Sequence, residues 1–322
     1  MQSKIEQIKA DASFRNFYRI NSKKNSKIIV LANHEKYKNL VVYMAVNKFL
    51  SKNKILTPKV FSHNYDKGII VIEDFGDLSF HKILSKKGKK FETYKELVNL
   101  ILKIQKIKPK SKIKDIFNKS YKINKYSIKY LQQESNLFFD WYLPLVMNKK
   151  KSVIIKKKTK NFLIKLYKKL NFSNSYFVHR DFHVQNLIKV GKKIGVIDTQ
   201  DALIGNPAYD LVSLIDDVRI KTSKNLKNQV YDYYVKKKFL KNKKNKKKFK
   251  EDFNILSIQR SLKIIGIFSR LFMRDKKNKY LKFLPYTWKL LEMRIKDGSF
   301  TEIKEILDKN ISKKIRKKKF FK

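Results

Sequence analysis

A chain of 322 residues that is 42% hydrophobic, with 23 Phe and 17 Tyr, can bury a sizeable core. It holds no apolar run of the roughly 18 to 20 residues that a bilayer span needs, and the complete lack of cysteine excludes disulfides and thiolate metal sites. Its formal charge of +51 comes from 69 Lys against 9 Arg, and it accompanies abundant Ile, Asn, Phe and Tyr. A bias toward A- and T-rich codons loads lysine onto any solvated surface, so the charge is read as compositional before it is read as a polyanion-binding face. Five scattered His residues do not suggest an imidazole metal site. The opening "MQSKIEQIKADASF" lacks the apolar core of a secretory signal, which makes the cytoplasm the expected location.

In chain order, "FRNFYRI" and "KIIVLAN" alternate as strands, and "KNLVVYMAVNKFLSKN" has helical spacing. "KVFSHN" and "GIIVIEDFG" then flank the turn "NYDKG". The pattern is hairpin, helix, hairpin. From about residue 92 the period turns helical, as in "YKELVNLILKIQKI", with further helical stretches near 122–148 and 155–170. Lysine-dense stretches at 149–160 and 236–250, and the tail "ISKKIRKKKFFK", read as solvated loops or faces. A β-rich segment of residues 1–76 feeds a larger helical segment of residues 77–322 through "IEDFGD" without a linker, which suggests two lobes around a cleft.

Within the helical part, "SYFVHRDFHVQNLI" reads as a loop between apolar segments, and "KVGKK" turns a β-hairpin that ends in "IGVIDTQDA". Asp181, Asn186 and Asp198 therefore approach one another. Their spacing fits phosphoryl transfer: one carboxylate takes the proton of an attacking hydroxyl, while an amide oxygen and a second carboxylate hold Mg²⁺ on nucleotide phosphates. The same residues also fit an ordinary turn with a hairpin Asp, and the motif by itself does not decide between the two.

The chain resembles the aminoglycoside phosphotransferase-like kinases, distant relatives of the protein kinases. Within that group it is most similar to the bacterial kinases of cell-wall recycling that phosphorylate N-acetylmuramate and N-acetylglucosamine at C1. The likeness runs through "DASFRNFYR" (11–19), "IEDFGD" (72–77), "NLFFDWYL" (136–143), "VHRDFHVQNL", "GVIDTQDALIGNPAYDLVSLIDD" and "IQRSLKIIGIFSRLFMRD" (258–275). It implies an α+β, two-lobed protein-kinase-like fold with a small β-rich N-lobe and a larger, mostly helical C-lobe, and a cytoplasmic enzyme using ATP and Mg²⁺. It further implies that Asp181 is the catalytic base, that His179 orients its loop, and that Asn186 and Asp198 ligate the metal. Asp210 in "PAYDL" would support the loop or cap a helix. Ser13 and Arg15 stand where other kinases cover the phosphates with a glycine-rich loop, and the main chain of Glu73 to Phe75 would face the adenine. Arg180 and Asp201 are candidates for the sugar. Trp141 and Tyr142 read as core, with stacking on a sugar face as the other possibility.

Two departures stand out. The phenylalanine usual after the metal-binding Asp is Thr199, and "KIIVLANHE" has no internal lysine to pair with phosphate; Lys27 lies at the strand's start. Arg15 is the expected substitute. Six of the nine arginines, namely Arg15, Arg19, Arg180, Arg260, Arg270 and Arg274, fall in the resembling blocks, which points to sites needing a planar fork rather than a point charge. The rival readings are a kinase of choline, ethanolamine, homoserine or an aminoglycoside, and a catalytically silent, basic nucleic-acid- or membrane-surface-binding pseudokinase. The expected partners are ATP and an amino sugar, with no specific nucleic acid, no membrane span and a monomeric chain.

Overall fold

The structure, a computed structural model, describes residues 4–8, 15–21, 26–32, 38–86, 88–114, 120–240, 242–296 and 298–318. They form two compact units, each built from discontinuous segments. The first takes residues 1–90, 103–124 and 177–204, and the second takes 91–102, 125–176 and 205–322.

The first unit is built on β1 (Lys4–Ile8), β2 (Asn16–Asn21), β3 (Lys27–Leu31), α1 (Lys38–Lys52), β4 (Val60–Asn64) and β5 (Ile69–Glu73). The five strands form one antiparallel sheet in the order β1-β2-β3-β5-β4. Alternation sets its buried face: Ile28 and Val30 of β3 and Ile70 and Ile72 of β5 point the same way, onto Leu40, Val41 and Met44 of α1. The hairpin, helix and hairpin expected from the sequence are all present. β1 was not foreseen, because "KIEQI" has only two apolar residues, three apart rather than alternating, on an edge where Ile5 remains 61% exposed.

After α2 (Phe80–Ser85) and α3 (Lys90–Gln105), the pair β6 (Lys112–Lys114) and β7 (Ser120–Lys122) forms a small hairpin that the sequence pattern did not reveal. It ends at Lys122, where the stretch read as helical from about 122 begins. The helix there, α4 (Ile128–Leu137), begins only where the Ser127 hydroxyl accepts the Tyr130 amide. α5 (Leu143–Val146) and α6 (Lys149–Lys168) follow, so the lysine-dense 149–160 stretch is the exposed face of a helix. β8 (Tyr176–Val178), β9 (Leu187–Val190), β10 (Lys193–Val196) and β11 (Leu203–Gly205) complete the strands. β9 and β10 form the expected hairpin, turned at Gly191 with φ +55°. The Lys189 amide donates to the Leu78 carbonyl, and the Val196 amide to the Leu56 carbonyl, both at 2.8 Å. Those bonds dock the hairpin onto segments that flank the N-terminal sheet, which is why residues 177–204 belong to the first unit.

The second unit is helical. Besides α4 to α6 it contains α7 (Ala208–Ile215), α8 (Lys224–Phe239), α9 (Lys243–Met273), α10 (Leu284–Arg294), α11 (Thr301–Asn310) and α12 (Lys313–Arg316). α9 is its axis, buried almost continuously from Phe249 to Leu271. Between α4 and α5 the chain widens into a π-helical turn, Phe138–Tyr142. Gly266 of α9 lies against it so closely that a β-carbon there would sit 2.2 Å from the Leu137 carbonyl carbon. No helix among the described residues is long and apolar enough to cross a membrane.

Candidate active site

The site is assembled from main-chain bonds in the loop between β8 and β9. The buried His179 ring donates from Nε2 to the Ile197 carbonyl at 3.0 Å, and the Ile197 amide donates to the Asn186 carbonyl at 3.1 Å. These two bonds tie the catalytic-type loop to the strand end that delivers Asp198. The Asp181 carbonyl accepts the His183 amide at 2.9 Å and Asn186 Nδ2 at 3.1 Å. With its nitrogen committed there, and 3.5 Å from Asp198 Oδ2, Asn186 keeps its side-chain oxygen as a donor atom. Arg180 and Asp198 both adopt left-handed backbone, with φ of +76° and +62°. Such a conformation costs a non-glycine residue about 1–2 kcal/mol, and it persists where the surroundings over-determine it.

Burial pushes the Asp198 carboxyl above its ordinary range, and the nearby Asp181 carboxylate adds to that push. A hydrogen bond from Gln200 Nε2, 2.8 Å from Oδ1, and the charges of His179 and Arg15 work the other way. Two mutually repelling carboxylates beside an amide oxygen are a donor set that a hard cation would suit. Among the described residues no group of three or more His, Cys, Asp or Glu could hold a metal by itself. The set therefore fits an ion that also draws ligands from phosphate and water, as Mg²⁺ does.

Arg15, just ahead of β2, is buried, and its Nη1 lies 3.4 Å from Gln200 Oε1. Arg15, Gln200 and Asp198 thus form a line from the start of β2 to the candidate metal ligand. Lys27 is elsewhere engaged: its ammonium sits 4.9 Å from the centre of the Phe61 ring on β4. Ser13 lies outside the described residues.

α1 contributes residues that the sequence reading missed. The Thr199 hydroxyl donates to Asn47 Oδ1 at 2.6 Å, and both side chains are buried. The only sequence signal was Thr199 itself, the departure from phenylalanine. Burial pushes the Tyr43 hydroxyl up to about 12; the Asp198 charge adds to this, while Asn47 and Arg15 oppose it.

At the end of β5, the Glu73 amide donates to the Lys59 carbonyl at 2.8 Å, and Glu73 Oε2 accepts the Lys59 amide at 3.1 Å. The expectation of a free main-chain edge from Glu73 to Phe75 therefore narrows, because the Glu73 N–H is taken by the sheet. Among the described residues the Phe75 amide has no hydrogen-bond partner. Its ring rests on Gly195 of β10, where a β-carbon would fall 2.5 Å from ring carbons. Asp201, half exposed, is 3.3 Å from Arg180 Nη1, so the two candidate sugar contacts form an ion pair.

Other singled-out residues belong to the second unit. Asp210 is buried in the first turn of α7. Arg260 donates twice to the Ser213 hydroxyl, and Arg274 pairs with Asp275 at 2.7 Å. Arg270 is half buried, and desolvation lowers its pKa. Tyr142 is core, stacked on Phe138 and accepting the Trp288 indole N–H at 3.0 Å.

A model of the phosphotransferase enzyme family matches residues 4–239. A curated relative, the N-acetylmuramate/N-acetylglucosamine kinase of Neisseria meningitidis serogroup B, is 27% identical over 282 residues, covering 86% of this chain and 81% of its own. Among solved structures, a choline/ethanolamine kinase family protein from Mesorhizobium loti superposes with a TM-score of 0.62 at 10% identity, covering 94% of this chain and 92% of that one. An ADP-bound aminoglycoside phosphotransferase gives 0.58 at 12% identity, with 90% and 92% covered. At these identities the structural matches establish the fold alone, that of the protein-kinase-like phosphotransferases.

Proposed function

We propose, from the premise that the chain belongs to the phosphotransferase enzyme family and is an ATP-dependent kinase of a small-molecule hydroxyl, that its acceptor is the anomeric C1 hydroxyl of N-acetylmuramate or N-acetylglucosamine. The observation that carries the reading is the convergence of Asp181, Asn186 and Asp198, with Arg15 acting on the last of them, within one compact unit. The curated relative's name supplies the acceptor class.

In this reading Asp181 accepts the proton of the acceptor hydroxyl as its oxygen bonds to the terminal phosphorus and the bond to ADP breaks. A hemiacetal hydroxyl is more acidic than other sugar hydroxyls, so one oriented carboxylate suffices. His179 holds the loop through Ile197. Asn186 Oδ1 and Asp198 would hold Mg²⁺, whose charge offsets that of the phosphates. Arg15 clamps phosphate from the entrance of β2, in the role that a lysine fills in other kinases. The main chain at Phe75 meets the adenine edge, and Arg180 and Asp201 contact the sugar. Residues 1–76 serve as the nucleotide lobe, and residues 77–322 carry the catalytic loop and the acceptor side.

The test is ATP consumption by the purified protein across a panel of amino sugars, choline, ethanolamine, homoserine and aminoglycosides. N-acetylmuramate and N-acetylglucosamine should be consumed, and the product should be acid-labile and no longer reducing. Turnover confined to choline or an aminoglycoside would refute the acceptor assignment.

A further inference from the structure

Arg19 is one of nine arginines in a chain that uses lysine 69 times, and its geometry shows what a lysine there would lose. It lies on β2 and reaches past β3 to the segment following β5. Its Nε donates to Asp74 Oδ2 at 2.6 Å and Nη2 to Asp74 Oδ1 at 3.1 Å; Nη1 and Nη2 also donate to Asp77 Oδ2 and Oδ1 at 2.8 and 2.9 Å. One planar guanidinium thus binds two carboxylates bidentately, which a tetrahedral ammonium cannot do. Asp74 is further bound by the Ser26 hydroxyl and by the Gly76 amide, both at 2.8 Å. Gly76 itself turns with φ +74°, a conformation that suits glycine. The chain from Asp74 to Asp77 is therefore held at both ends by one side chain, and Phe75 lies between them.

The two halves of the clamp differ in exposure. The Asp74 side chain is 4% exposed and that of Asp77 62%. The inner pair is desolvated, so losing its partner leaves a buried carboxylate without a cation; the outer pair is wet and contributes less. Arg15 precedes Arg19 by four residues, a spacing that puts both on the same face of an extended chain about 13 Å apart. One end of β2 thus reaches toward Asp198 through Gln200, and the other fixes the segment after β5. The separation is comparable to the reach of a nucleoside triphosphate from base to terminal phosphate.

We propose that Arg19 is a positioning residue for nucleotide: by clamping Asp74 and Asp77 it keeps the Phe75 main chain presented to the base. This rests on the reading of Phe75 as the adenine-binding edge. A clamp on the base edge affects recognition of the base and leaves recognition of the phosphates alone. The experiment is equilibrium binding of magnesium ATP and of magnesium tripolyphosphate to wild type, Arg19→Lys, Asp77→Asn and Phe75→Pro, the last lacking the amide N–H. Arg19→Lys should weaken ATP roughly tenfold, the scale of one lost charge-assisted hydrogen bond, and leave tripolyphosphate within about twofold. Asp77→Asn, altering only the exposed half, should show the same selectivity with a smaller loss, which keeps the test open if Arg19→Lys folds poorly. Equal losses for both ligands, or ATP affinity unchanged in both clamp variants, would overturn the proposal. ATP affinity unchanged in Phe75→Pro would overturn the base-edge reading and the proposal with it, whereas a loss there without one in the clamp variants removes Arg19 alone.

Discussion

Asp181 and Asp198 occupy one site but are predicted to fail differently when changed. Asp181→Asn keeps the loop's size and main-chain bonds and removes only the proton acceptor, so kcat should fall by orders of magnitude while ATP still binds. Near-normal turnover in that variant would remove Asp181 from the chemistry. Asp198→Ala removes a carboxylate that burial and a neighbouring charge already disfavour in the absence of a cation, and magnesium-dependent ATP binding should be lost. Binding at wild-type strength would count against its assignment as a ligand. The approach of these two residues and Asn186 was legible in the sequence because their spacing is local, while their roles came from the family resemblance. The partners that hold them were not: Asn47 is 152 positions from Thr199, and Gln200 has no motif. A hydrogen bond across the fold leaves no periodic trace in either segment.

At the scale of elements, two glycines mark where one element presses on another. Gly266 meets main chain at the π-helical turn, and main chain cannot swing aside. Gly266→Ala should therefore cost about 1–3 kcal/mol or more, read as a lower midpoint in urea unfolding. Gly195 meets side-chain atoms alone, the Phe75 ring and a Val190 methyl, which can give way. If the Phe75 main chain faces the base as proposed, Gly195→Ala should leave the unfolding midpoint nearly unchanged and weaken ATP by displacing that segment; a large stability loss with intact ATP affinity would contradict that. Strands with a buried face and helices with a clear period were visible in the sequence, as β3, β5, α1 and α3 show. β1 was invisible because an exposed charged edge has no apolar alternation to display. The five residues of sequence between β6 and β7, 115–119, likewise include no glycine to announce a hairpin.

Across the whole molecule, charge acts mainly through a few buried or clamped carboxylates. Burial opposes ionisation of Asp216, but Arg294 and Lys227, at 3.0 and 3.2 Å, together with the Ser257 hydroxyl hold its carboxyl far below the ordinary range. Hydrogen bonds from Arg19 lower Asp77, and in Asp74 the same partner, with Gly76 and Ser26, outweighs burial. A folded-state pKa below the unfolded one stabilises fully above the unfolded value, about pH 4, and that contribution is lost as pH falls toward the folded one. Stability should accordingly drop with acidification below about pH 4, and Asp216→Asn should lower it by about 3–5 kcal/mol at neutral pH by leaving two buried cations short of their counter-charge. Stability flat with pH through that range would contradict the assignment. Most of the described lysines are instead exposed to solvent. Binding to nucleic acid should be weak, steeply salt-dependent and blind to sequence, and a sequence-selective complex at physiological salt would overturn the compositional reading of the charge.

The place of phosphate transfer is tested most directly by comparing N-acetylglucosamine and N-acetylmuramate with their 1-O-methyl glycosides under saturating magnesium ATP. The glycosides keep every hydroxyl except the anomeric one. Turnover should be seen with both free sugars and be absent with both glycosides, while glycosides phosphorylated as fast as the free sugars would place the transfer elsewhere on the ring.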